Sequence, residues 1–169
     1  VPEGFIRVRT ITISPKEALS ADYETLQSEL TALEAEYGKL SLDVALKDPA
    51  RIKQISTEYA AKKAESEKLY EAYIAPARDK AGEAYAALQG GKAFADVLKE
   101  YGEDDVYTTY PLYTTEGLLM QKGVASSTWP QELVDAVGKL KPGEHTDLIQ
   151  LDDMFYICEL VGDEAVTER

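Results

Sequence analysis

The chain has 169 residues, 44% of them hydrophobic and 29% charged, which suits a folded domain and argues against wholesale disorder. Its 31 acidic and 18 basic side chains leave a net charge of -13. That balance disfavours sequence-independent nucleic-acid binding and an anionic membrane surface, both of which require clustered Lys and Arg. A single cysteine, Cys158, and a single histidine, His145, exclude an internal disulfide and Cys- or His-based zinc sites, so neither metal nor cofactor is expected. No apolar run approaches the roughly 20 residues that span a bilayer. The sequence opens on Val1 with no charged-then-apolar leader, so it reads as a processed fragment, and any export signal or lipid anchor is expected outside it.

After the linker-like Val1-Pro2-Glu3-Gly4, residues Phe5 to Ile13 are dense in β-branched side chains, with Ile6, Val8, Thr10 and Thr12 alternating with Arg7, Arg9, Ile11 and Ile13. This predicts a strand, central in its sheet because both faces carry apolar groups. Ser14-Pro15 ends it.

From about residue 16 to 89 the composition shifts to Leu, Ala, Glu, Lys and Gln. Leu19, Tyr23, Leu26, Leu30, Leu33 and Tyr37 recur at helical spacing, and Gly38 reads as a stop. Asp48-Pro49 reads as a restart, with Asp as N-cap and Pro in the first helical position. Ile52, Ile55, Tyr59, Leu69, Tyr73 and Ile74 continue a second, longer helix, which Pro76 is expected to kink or interrupt. The two runs pair most simply as an antiparallel hairpin. Neither is a strict heptad.

A further helix is predicted over 77–88 and a short amphipathic one over 93–101, with Phe94, Val97 and Leu98 on one side. Thr- and Tyr-rich 106–113 favours extended structure, at an edge because of Pro111. Residues 114–128 read as loop, 130–140 as a short helix, and 147–151 with 154–161 as a hairpin turning at Asp152-Asp153. The polar tail, 163–169, is expected to fray. The order of elements is α+β with one small sheet.

Two stretches carry a resemblance: "KAGEAYAALQGGKAFADVLKEYGED" and "ELVDAVGKLKPGEHTDLIQLDDMFYICEL", with "IRVRTITI" as a first strand. Together they resemble the parvulin-type (PpiC-like) peptidyl-prolyl cis-trans isomerases. The resemblance covers 5–14 and 80–162 and implies a small, mostly antiparallel sheet with flanking helices. Residues 15–79 then stand as an inserted α-helical hairpin in a discontinuous domain.

The family's chemistry is non-covalent: an apolar pocket holds the proline ring, and the site favours the twisted imide over either planar form. The family usually carries a His in the first strand and another in the last, supporting a polar network; those positions fall on Thr10 and Tyr156. Its Met and Phe of the proline pocket fall on Trp129 and Leu133. A polar role is implied for Asp104, and Leu112 and Tyr113 stand where a Gly-rich segment usually borders the pocket. Both Thr10 and Tyr156 can still hydrogen-bond. These departures predict weakened catalysis with polypeptide binding retained.

Each residue also has a plainer reading. Thr10 is an ordinary strand residue, Trp129 and Leu133 are equally core side chains, Asp104 belongs to a solvated helix end, and Cys158 is a small buried hydrophobe. The resemblance implies a folding factor binding unfolded or proline-containing polypeptide, extracytoplasmic in bacteria. Two alternatives stand beside it: a non-catalytic chaperone or peptide-binding module on the same scaffold, and a protein whose helical hairpin is a dimerisation or docking arm.

Overall fold

A computed structural model describes residues 4–43, 45 and 48–162. The expected first strand is β1, Phe5–Ile13, and it is central: β2 (Leu118–Gln121) pairs on one side of it and β4 (Met154–Gly162) on the other. β3 (Ile149–Leu151) completes an antiparallel sheet in the order β2-β1-β4-β3. The α+β architecture expected from the sequence is the one observed.

The chain separates into two compact units, one of residues 1–15 and 77–169 and the other of 16–76. In the sheet unit, period-two alternation divides β1 between two layers. Ile6 and Val8 join Met120, Trp129, Leu133, Val134, Val137, Cys158 and Leu160 in one buried cluster, to which α6 (Gln131–Val137) contributes its apolar face. Ile11 and Ile13 are buried on the opposite face with Phe155 and Ile157. There α3 (Phe94–Tyr101) packs on β1, burying Phe94, Val97 and Leu98.

That second face also holds charge. Arg9 is paired across the sheet with Glu159; it donates to Thr114 O at 2.7 Å, and its guanidinium lies 5.6 Å over the Phe94 ring. Arg7 pairs with Glu116. Both arginines thus fix α5 (Leu112–Glu116) to the strand beside it.

The helical unit contains α1 (Ala21–Leu42) and the first part of α2 (Pro49–Gln89). Ser20 caps α1 by accepting from Asp22 N, and Asp48 caps α2 by accepting from Arg51 N. Glu36 to Arg51, Glu34 to Tyr59, Glu29 to Lys62 and Gln27 to Ser66 are bonded in turn. Each step back along α1 is matched by a step forward along α2, so the two helices run antiparallel. Leu26, Leu30, Leu33 and Ile55 are buried in this unit.

Four local expectations are corrected. Gly38 does not stop α1, which runs on to Leu42; a glycine inside a helix costs about 1 kcal/mol, too little to end one that is packed along its length. Pro76 does not interrupt α2, which is helical from Pro49 through Gln89 with the proline inside it; a proline withholds one donor, and the turns on both sides retain theirs. Residues 106–113 are not extended: α4 (Val106–Thr109) and α5 flank Tyr110-Pro111, and Asp104 Oδ1 accepts from Val106 N at 3.0 Å to start the first turn. The stretch read as loop contains β2. It enters through Gly117 at φ 77, where an added Cβ would stand 3.0 Å from Val8 O. The tail at 163–169 and the linker residues 1–3 lie outside the described residues.

Candidate functional site

β1 is nine residues long, but β2 covers only its first four. From Arg9 onward one edge of the central strand lacks a neighbouring strand, and its buried amides need other partners. The segment from Glu103 to Glu116 supplies them. Tyr107, on α4, is buried, and its phenolic oxygen accepts Thr10 N–H at 2.7 Å. Glu103 N–H donates to Thr12 O at 3.1 Å. Glu103 Oε1 accepts the Ser14 N–H at 2.9 Å and its hydroxyl at 3.2 Å, while Oε2 accepts Lys80 Nζ at 2.7 Å.

Thr10 is the hinge between this edge and the sheet's α6 face. It is 4% exposed, and its hydroxyl donates to Cys158 Sγ at 3.6 Å on the adjacent strand. Cys158 N–H donates to the Thr146 hydroxyl at 3.0 Å, and Thr146 N–H donates to Cys158 O at 2.8 Å. A buried polar chain therefore runs Tyr107, Thr10, Cys158, Thr146. Its titratable members are neutral at physiological pH. Burial pushes the Tyr107 phenol up to about 12, against the pull of the Thr10 N–H. Burial likewise raises the Cys158 thiol to about 12, with the Thr10 hydroxyl acting the other way.

Tyr156 lies on the same face, two residues from Cys158 on β4 and opposite Thr12 on β1. It is half-buried against the α6-side cluster. Burial raises its phenol, and the nearby Asp153 and Asp152 carboxylates, with Cys158 once ionised, oppose its ionisation further. Of the Thr10, Tyr107, Cys158 and Tyr156 side chains, only that of Tyr156 is not fully buried.

The structure brings Thr10, Tyr156, Trp129 and Leu133 to one layer of the sheet. Trp129 is 5% exposed and fixed by its indole Nε1–H, which donates to Leu119 O at 2.8 Å. Leu133 is still more deeply buried. Both belong to the buried core cluster on the α6 side of the sheet. With Val124 N–H on Gln121 O at 3.3 Å, the Trp129 bond also occupies the outer carbonyls of edge strand β2.

Asp104 sits apart, exposed at the start of α4, and its charge reaches Tyr107. Leu112 is 68% exposed on α5, and Tyr113 meets the Tyr110 ring edge-on at 5.9 Å, away from the Trp129 cluster. Tyr107, Cys158 and Thr146 had no motif to mark them as one chain of bonds, since each is an ordinary residue type whose role follows from pairing across the sheet. Among the described residues, no group of three or more His, Cys, Asp or Glu is placed to hold a metal ion.

A family model described as the PPIC-type PPIASE domain matches residues 52–165. The match begins within α2 and takes in everything from there through β4; β1 precedes it, although β2 and β4 both pair on β1. No curated protein and no solved structure matches the chain.

Proposed function

We propose that this chain, which belongs to the family of PPIC-type peptidyl-prolyl isomerase domains, is a slow isomerase of proline-containing polypeptide. The observation that carries the reading is the burial of Trp129, whose indole is packed and hydrogen-bonded in the place where the family resemblance implies a proline pocket. A proline ring entering there must first displace a core side chain, which costs binding free energy and so lowers turnover at a given peptide concentration.

The reaction itself asks little of the protein. Amide resonance opposes rotation by about 18–20 kcal/mol, and each ~1.4 kcal/mol removed raises the rate tenfold. In the twisted imide the resonance is lost and the nitrogen lone pair becomes an acceptor. A donor that bonds to it stabilises the twisted form alone, which is differential binding of the transition state. Tyr156 is the residue placed for this: half-buried, protonated at neutral pH, and on the layer of Thr10 and Cys158. Thr10 is too buried to touch substrate and acts as a positioning residue through Cys158, its Cα partner on β4, two residues along from Tyr156.

The test is two-dimensional exchange NMR on short X-Pro peptides at substoichiometric protein. Cis–trans exchange should be accelerated, and Tyr156→Phe should lower that acceleration about five- to tenfold, the loss of one neutral hydrogen bond. Acceleration unchanged by Tyr156→Phe removes the assigned donor. Peptide-induced shifts without any acceleration would leave a binding module alone.

A further inference from the structure

The sheet unit carries a cavity of about 450 Å³ where α3, α4 and α5 meet at the open edge of β1. It shares no residue with the Trp129–Leu133 cluster. We propose that it is a second polypeptide-docking cleft, taking an extended client segment through its main chain rather than through proline. The proposal rests on the polypeptide-binding reading above.

Size and lining both suit a stretch of peptide. The volume lies within the ordinary range of ligand pockets, about 300–1,000 Å³. Leu98, Pro111 and the ring of Tyr107 give it apolar walls. Thr108, Thr114 and Thr115 add hydroxyl-bearing residues, and a hydroxyl can both donate and accept. An extended main chain offers N–H and C=O groups alternately, so such a lining serves it in either direction and in more than one register. One cation, Lys99, and one anion, Asp104, stand in the lining, so the cleft selects no charge.

The surface beside it points the same way. Pro111 is flanked by Tyr110 and Leu112, which are 58% and 68% exposed. In a chain with 29% charged residues, two large apolar side chains left in solvent on either side of a cavity residue extend its apolar wall outward. This is the combination that grips unfolded chain: apolar contact for the side chains and adaptable hydroxyls for the backbone.

The test uses the full chain, labelled with ¹⁵N, and two extended octapeptides of uncharged residues, one with a central proline and one without. The proline-free peptide should shift the amides of Leu98, Gly102, Thr108 and Thr115, and Thr115→Arg, which fills the cleft from an exposed position, should weaken its binding at least tenfold. Thr108→Arg serves as a second blocking variant, and amide dispersion of both reports that they fold. If both peptides instead shift residues around Tyr156 and Asp153 and ignore the arginine variants, the cleft is overturned while the polypeptide-binding reading stands. If only the proline peptide binds, the proline-independent cleft is likewise overturned. If neither peptide shifts any amide, both readings fall.

Discussion

The phenolic oxygen of Tyr107 accepts the backbone N–H of Thr10 at 2.7 Å across 97 residues of sequence. A side chain here does what a neighbouring strand does elsewhere in the sheet. Tyr107→Phe keeps the ring and leaves a buried amide without its acceptor, which costs about 1–3 kcal/mol. Urea denaturation should show a lower midpoint with an unchanged slope.

The same buried chain makes the fold sensitive to alkali. Cys158 is raised from an ordinary 9.0 to about 12, and Tyr107 from 10.0 to about 12. Between those values the folded state holds protons that the unfolded state has lost, so stability is full below pH 9 and falls as pH rises. Each group contributes a slope of about 1.4 kcal/mol per pH unit within its window. Chemical denaturation from pH 8 to 11 should show the decline, and Cys158→Ala should delay its onset from pH 9 to pH 10, where Tyr107 takes over, while lowering stability at pH 8.

Arg9 and Glu159 form a largely buried pair on adjacent strands. Removing one partner strands the other charge. Glu159→Gln should therefore destabilise by about 3–5 kcal/mol, whereas replacing both with apolar residues, Arg9→Met with Glu159→Leu, should restore most of the loss. A double-mutant cycle in thermal denaturation separates the two effects.

Glu103 is a clasp within the sheet unit. Its carboxylate holds Ser14 at the end of β1 and Lys80 on α2, and its own N–H closes on Thr12 O. Glu103→Ala removes the carboxylate bonds and should cost about 2 kcal/mol. Hydrogen exchange should show the loss as faster opening at Ser14 and at residues 12–14 before the rest of β1.

Much of this architecture was legible in the sequence. The alternation in β1, the Asp48-Pro49 helix start and the Asp152-Asp153 turn are local signals. The structure realises them as a central strand, a side-chain cap on Arg51 N and a positive φ of 54 at Asp152. Lys141-Pro142-Gly143-Glu144 likewise forms a turn, with Glu144 Oε1 accepting from Lys141 N at 2.7 Å. What failed was decided by tertiary partners. Thr and Tyr favour strand, yet residues 106–113 fall into the two short helices α4 and α5, where Tyr107 serves the open edge of β1 and the following Thr114 O serves Arg9. β2 is four residues long, and the side-chain pattern of Leu118-Leu119-Met120-Gln121 marks no strand without β1 beside it. The place of Thr10 within the first strand was legible in the β-branched alternation. Its bond to Tyr107 was not, since nothing in a single sequence aligns residues 97 apart.

The pH dependence of the exchange rate is the most direct test of slow X-Pro isomerisation by groups that stay neutral. Acceleration of an X-Pro peptide measured from pH 5.5 to 8.5 should be small and flat, because Tyr156 and the Thr10 network keep their protons throughout. A bell or a step within that range would put a titrating group into the reaction and contradict this reading.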